Sequence, residues 1–274
     1  MSPLVSIVTV NLNLRDGLAR TLESIGRQTF GDREVVVIDG GSTDGSVDLL
    51  RVNPGGVVTD FVSEKDAGIY DAMNKGIRRA KGTYVLFLNG GDTFAADDAL
   101  ERVIGAAPPV EDVVYADVII EAVDGATRRW STPEVLDWDY FMVTTLPHQA
   151  TLIRRDLFER VGLHDTSFRI CADFEFLLRA IVVRGASTRH VGVPLAVQVD
   201  GGISSSPETF AKLREERKRA KETALSPVLR AHWDDYLTAK RGIVHQTLRN
   251  AFRPLARRMR SWTRRLRGKP DALV

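Results

Sequence analysis

Residues 34–46 read Glu34-Val35-Val36-Val37-Ile38-Asp39-Gly40-Gly41-Ser42-Thr43-Asp44-Gly45-Ser46. Four consecutive β-branched residues with no polar alternation describe a strand buried on both faces, as in a parallel sheet covered by helices. The polar, glycine-rich turn behind it leads into Val47, Leu49 and Leu50, with Ser42 or Thr43 placed to cap that helix. The same unit recurs on either side. Upstream, a strand at Val5–Val10 precedes Leu18, Leu22 and Ile25 at helical spacing. Downstream, a strand at Val57–Val62 precedes a helix starting near Asp66 with Ile69, Met73, Ile77 and Ala80 as its apolar stripe. A fourth strand, Tyr84–Leu88, runs straight into Asn89-Gly90-Gly91-Asp92. This alternation predicts an α/β fold with a mainly parallel central sheet flanked by helices.

Past residue 110 the rhythm changes. Val113–Ile120 and Thr127–Trp130 read as strands around the Asp124-Gly125 turn. Leu157–Val161 and Phe174–Ile181 read as helices, and His190–Val199 as a last strand. Ser206-Pro207-Glu208 is set to open a helix with proline at its favoured first position, and the charged run from Leu213 to Ala224 reads as a solvated connector.

The chain has 274 residues, 43% hydrophobic and 27% charged, which excludes disordered and low-complexity classes. Cys171 is its one cysteine, so there is no internal disulfide and no multi-cysteine zinc site. No apolar run approaches the ~20 residues of a membrane-spanning helix, and the start, MSPLVSIVTVNLN, has no signal-peptide pattern. No two glycines are spaced G-x-G, and the phosphate-loop, nucleophile-elbow and H-E-x-x-H motifs are absent. Dehydrogenase, P-loop kinase, α/β-hydrolase and zinc-protease chemistries are thereby disfavoured.

What remains is a row of polar clusters at the carboxyl ends of the expected strands, the edge at which open α/β sheets bind ligands. Asn11 follows the first strand, Asp39 to Gly45 the second, Glu64-Lys65-Asp66-Ala67-Gly68 the third and Asn89 to Asp92 the fourth. Each alone reads equally as a turn with a helix cap; four on one edge read as a site.

The ordered set VSIVTVNLN, Glu23, Gln28-Thr29, EVVVIDGGSTDGS, SEKDAGIYDAMNKGI and GTYVLFLNGGD resembles the family-2 inverting glycosyltransferases of the GT-A fold, over residues 4–205. The resemblance implies a catalytic domain at 1–205 and a helical extension at 206–274. It implies a nucleotide pocket lined by Thr9, Val10 and Asn11, with Asp39 hydrogen-bonding the base. Asp66, Gly68, Asn74 and Lys75 would sit beside nucleotide and sugar, together with Asn89, Gly90 and Gly91. Asp92 ends the stretch where the family carries its metal-binding D-x-D motif. Here Asn89 and Gly91 replace the two acids, and a Mn2+ or Mg2+ ion would rest on Asp92, pyrophosphate and water. The resemblance gives Asp173 as the general base, with Ala172 replacing a family glutamate and Glu175 as the competing carboxylate. It places His148 and Gln149 near sugar or acceptor, against an equal reading of His148 as structural, and Asp200-Gly201-Gly202-Ile203-Ser204 in a loop over the pyrophosphate. Cys171 reads as a packing residue.

Charge is uneven along the chain. Residues 236–274 carry eleven basic residues against Asp271, a balance of +10, while residues 1–235 carry −8. In that tail Leu248, Phe252, Leu255, Met259, Trp262 and Leu266 recur at helical spacing among arginines, with Pro254 at the start or a kink. A helix over this span would be about 27 Å long and suits an anionic membrane surface. Packing on protein is the competing reading, and no nucleic-acid motif accompanies the charge. The expected whole is a peripheral enzyme on the inner, cytoplasmic face of the cell membrane, of bacterial cell-surface type. It would pass one sugar from a nucleoside diphosphate donor to a glycolipid or lipid-linked acceptor. A weakened nucleotide-binding scaffold and a nucleotidyltransferase are the alternatives, the latter disfavoured because Asn11-Leu12-Asn13-Leu14 has no glycine.

Overall fold

The computed structural model describes residues 2–105, 108–122, 124–199 and 209–231. Strands β1 (Val5–Asn11), β2 (Arg33–Asp39), β3 (Asp60–Ser63) and β4 (Tyr84–Phe87) alternate with helices α1 (Arg15–Gly26), α2 (Ser46–Val52) and α3 (Ile69–Arg79). There follow β5 (Thr93–Phe94), α4 (Ala99–Ile104), β6 (Val113–Glu121), β7 (Thr127–Trp130), α5 (Trp138–Val143), β8 (Thr151–Arg154) and α6 (Arg155–Val161). Helix α7 (Ala172–Leu177) runs into a π-turn at Leu178–Val183, and β9 (Thr188–Val199) and α8 (Phe210–Ala224) close the series.

One sheet joins the strands in the order β3-β2-β1-β4-β8-β6-β9-β5, with β7 paired to β6. The expected parallel pairing holds for β3, β2, β1 and β4. Beyond β4 the sheet is mixed: β8 is antiparallel to both β4 and β6, while β6 and β9 are parallel. Chain order reverses across β1, since β2 lies on one side and β4 on the other. The crevice at the carboxyl ends of β1 and β4 is therefore a topological switch point, where such sheets take ligands.

Every residue of β1 and six of seven in β2 are buried. Val5, Ile7, Val35 and Val37 share a core with Leu18, Leu22 and Ile25 of α1 and with Leu100 and Val103 of α4. Each such side chain contributes about 1.5–3 kcal/mol on burial. Helix α3 covers the other face with Met73 and Ile77. Gly76 permits the close approach, because a Cβ there would lie 2.3 Å from Val8 Cγ1.

Two local expectations change. Helix α2 begins at Ser46 and is started by Asp44, whose carboxylate accepts from the Ser46 N–H at 3.1 Å and the Ser46 hydroxyl at 2.6 Å; Ser42 is occupied with Asp39 instead. The run from Leu213 to Ala224 is not a solvated connector but part of α8, which belongs to the compact unit Met1–Ala224. Its Glu216 and Ala220 are buried, and Arg219 lies 3.9 Å over the Phe168 ring. The 200–204 loop, the start of the last helix at Pro207 and the basic tail from 236 onward lie outside the described residues.

Candidate active site

At the end of β2, Asp39 is fully buried and takes five hydrogen bonds. Oδ1 accepts from Asn11 Nδ2 at 3.1 Å and Ser42 Oγ at 2.5 Å. Oδ2 accepts from the Gly41 and Ser42 N–H groups at 3.2 and 2.9 Å and from Ser63 Oγ at 2.7 Å. Burial alone would raise its pKa; these donors outweigh it and hold the carboxyl below the usual range. Asp39 thus ties the ends of β1, β2 and β3 together, with its lone pairs directed into the fold. Thr9 and Val10 are likewise buried within the sheet. Asn11 reaches the crevice floor, and its Oδ1 is buried without a partner among the described residues. Gly90 leaves that oxygen open: a Cβ at 90 would stand 2.8 Å from it.

From the middle of α3, Lys75 meets Asp66 at 2.6 Å, Glu64 at 2.7 Å and Asp71 at 3.7 Å. Hydrogen bonds to Asp66 and Glu64 push its pKa up, so it stays cationic. Gly68 immediately precedes the helix. Asn74 does not join this group. It is buried and clamps the backbone of His164, donating to its carbonyl at 2.8 Å and accepting from its N–H at 3.1 Å. Successive helical residues point about 100° apart, so Asn74 and Lys75 cannot both face the crevice.

On the other wall, Asn89 Nδ2 lies 3.0 Å from His148 Nε2, and His148 Nδ1 lies 3.8 Å from Asp173 Oδ2. Asp173 Oδ1 accepts from the Phe174 N–H at 2.8 Å and from the Tyr70 hydroxyl at 3.0 Å. Oδ2 faces the His148 ring. Burial works to raise the Asp173 pKa, but His148 and the Phe174 N–H hold it below the usual range, so the group is ionised at neutral pH. Beside this chain Asp92 is 8% exposed. Burial lifts its pKa to about 6 against the opposing pull of His148 and a hydrogen bond from Gln149. Gly91 donates its N–H to Thr21 Oγ1 at 3.0 Å and fixes the turn.

Glu175 is excluded from the crevice. It is buried in a two-point ion pair with Arg179, at 2.6 and 2.9 Å, and two positions along a helix point about 200° away from Asp173. Cys171 is buried, and burial pushes its thiol to about 12, so it packs rather than reacts. His148, which the sequence left balanced between two roles, belongs to the Asn89–His148–Asp173 line.

Tyr70 and Glu216 went unread in the sequence. Glu216, from α8, accepts the N–H groups of Arg169 at 2.9 Å, Ile170 at 2.8 Å and Cys171 at 3.2 Å, capping the segment that leads into α7. The only local sign of Tyr70 was an aromatic beside the apolar stripe of α3.

Among the described residues no three acidic, histidine or cysteine side chains group as a metal site. The crevice does offer hard oxygen donors: the Asp92 carboxylate and the buried Asn89 Oδ1, which is without a partner among the described residues. That set fits a cation whose remaining ligands are phosphate oxygens and water.

Residues 6–165 match the family model described as Glycosyl transferase family 2. A Mycobacterium bovis protein named PGL/p-HBAD biosynthesis glycosyltransferase is 36% identical over 211 residues, covering 75% of this chain and 80% of that one. The Bacillus subtilis glycosyltransferase EpsJ is 27% identical over 208 residues, covering 66% and 56%. The fold is shared with S. aureus TarS 1-349 in complex with UDP-GlcNAc, with a TM-score of 0.63 at 18% identity, covering 83% of this chain and 69% of that one. It is also shared with the mannosyltransferase PcManGT from Pyrobaculum calidifontis in complex with GDP-Man and Mn2+, with a TM-score of 0.55 at 19% identity, covering 80% and 61%. The match across more than half its length, joined to the switch-point crevice, makes this chain a member of glycosyl transferase family 2, a glycosyltransferase of the GT-A fold.

Proposed function

We propose that the enzyme transfers one sugar, with inversion, from a nucleoside diphosphate sugar to a hydroxyl of a glycolipid or lipid-linked acceptor. The carrying observation is that Asp173, held ionised, has both inner donors on Oδ1 and presents Oδ2 toward His148, which is itself tied to Asn89 at the switch point. In the step this supports, the acceptor oxygen bonds to the anomeric carbon as the bond to the diphosphate breaks. The acceptor's proton passes to Asp173 Oδ2, and the nucleoside diphosphate departs. His148 and Tyr70 keep the carboxylate in place.

The solved relatives that hold UDP-GlcNAc and GDP-Man support a nucleotide-sugar donor. The name of the mycobacterial relative supports a glycolipid acceptor. Asp92 with Asn89 Oδ1 would hold a Mn2+ or Mg2+ ion, whose chemistry is to offset the charge of the departing diphosphate. Asp39 serves this site by fixing the loop under the base. Lys75 keeps Asp66 aligned toward the nucleotide.

The test is Asp173→Asn. Turnover is expected to fall roughly 10²–10⁴-fold, the usual share of a general base, with binding of UDP, GDP, TDP or CDP by calorimetry unchanged. Near-normal turnover removes the assignment. Nucleotide binding without any turnover in the unaltered chain returns the scaffold alternative.

No helix among the described residues is long and apolar enough to cross a membrane. The +10 tail from residue 236 supports attachment to the anionic inner face of the cell membrane. A chain ending near Tyr236 should then stay in solution with anionic vesicles that sediment the full chain; equal sedimentation rules the tail out as anchor.

A further inference from the structure

We propose that Tyr70 is a positioning residue for the base, a hydroxyl rotor that serves Asp173 in both of its protonation states. The proposal rests on Asp173 being the base. Tyr70 is 6% exposed, and its ring packs 5.7 Å from that of His164. Its hydroxyl oxygen lies 2.7 Å from the Ile170 carbonyl oxygen and 3.0 Å from Asp173 Oδ1. A phenol has one hydrogen to donate, and a carbonyl and an ionised carboxylate are both acceptors only. The two contacts therefore compete for the same hydrogen.

Which contact wins depends on the charge of Asp173. While the carboxylate is ionised it is the stronger acceptor, and the Tyr70 hydrogen points to Oδ1, favouring the charged form. When the acceptor's proton has moved to Oδ2, Oδ1 becomes a weaker, carbonyl-like acceptor. The hydrogen then turns to Ile170, the nearer oxygen, and the half-buried carbonyl is satisfied in place of the carboxyl. Tyr70 keeps its own proton throughout. Burial first, and the Asp173 charge second, push its phenol well above the usual value, so it stays a donor over any working pH.

The other groups facing Asp173 are fixed by different elements. His148 approaches from the short helical turn before β8 at 3.8 Å. His164 comes from the segment before α7; burial lowers its pKa to about 4, so it faces Asp173 as a neutral ring. The Phe174 N–H and the neutral Cys171 thiol lie on the base's own segment. Of these, Tyr70 alone holds a hydrogen that has a second acceptor to turn to, since the Phe174 N–H is fixed in the backbone.

Tyr70→Phe in the full chain keeps the ring and removes the rotor. At saturating donor, kcat should fall roughly 10- to 100-fold, the share of a hydrogen bond to a charged group. The donor KM should hold within about twofold, and the acid limb of the kcat profile should move up by about one pH unit, because the charged base has lost a donor. Replacing Tyr70 with 3-fluorotyrosine retains the shape and makes a stronger donor, so the limb should move down. An unmoved limb in both variants, with Asp173→Asn inactive, overturns the role of Tyr70 and leaves the base standing. Retained turnover in Asp173→Asn overturns the base itself.

Discussion

Asp39, at the end of β2, and Asp173, in the first turn of α7, are both carboxylates held below their usual pKa against the effect of burial. Asp39 spreads five donors over both oxygens, three of them from its own turn. Asp173 gathers its two donors on Oδ1 and leaves Oδ2 to a single ring at 3.8 Å. A carboxylate with every lone pair engaged is a joint in the scaffold. One with an oxygen held only by a long contact, beside a rotatable donor on the other, can take a proton. The difference lies in where the donors sit, not in how far the pKa is displaced.

The sharpest way to break the comparison is to give both residues the same substitution. Asp173→Asn should lose the 10²–10⁴-fold in turnover given above and little of the fold. Asp39→Asn should do the reverse. An amide nitrogen would face hydrogen-bond donors, and each unsatisfied buried group costs about 1–3 kcal/mol. At about 2–4 °C per kcal/mol for a unit of this size, the thermal midpoint should fall by roughly 5–10 °C. If Asp39→Asn unfolds at the wild-type temperature and instead abolishes nucleotide binding, Asp39 reads the base directly and the contrast is lost.

The two walls also differed in how far the sequence disclosed them. The Asp39 wall is largely local: strand, turn and helix follow one another, Asp39, Ser42, Asp44 and Ser46 bond within a few residues of themselves, and only Asn11 and Ser63 reach Asp39 from 28 and 24 residues away. Periodicity and turn chemistry therefore exposed it. The Asp173 wall is assembled from far along the chain. Tyr70 reaches across 103 residues, Asn89 across 59 to His148, and Glu216 back across 45 to Cys171. No spacing rule carries such pairs. Here the family resemblance supplied Asp173, and tertiary contact supplied its partners. Asn74 and Glu175 differ in another way: each stands one or two positions from a candidate crevice residue, and helical geometry turns it aside. Helix α8 was misread because its composition is charged. The one acid that matters, Glu216, is buried on backbone N–H groups that no pattern of side chains reveals.

Asp92 sharpens the comparison with a third carboxyl, displaced in the opposite direction. Its pKa is about 6, raised chiefly by burial. The folded state therefore binds this proton more tightly than the unfolded chain does. The associated stability is fully present below the ordinary carboxyl range and is lost as pH rises through about 6. At pH 8 the ionised form strains the apoprotein by about 3 kcal/mol, on the scale of ~1.4 kcal/mol per pKa unit. Asp92→Asn should accordingly raise the apoprotein's thermal midpoint by roughly 6–12 °C at pH 8 and by much less at pH 5. Mn2+ with a nucleoside diphosphate should stabilise the wild type at pH 8 and leave the variant nearly unmoved. An equal effect of the substitution at both pH values would show that Asp92 is ionised without strain. The strain is the physical reason to expect a cation: a buried carboxylate whose pKa stays raised despite His148 and Gln149 has room for more positive charge than its neighbours supply.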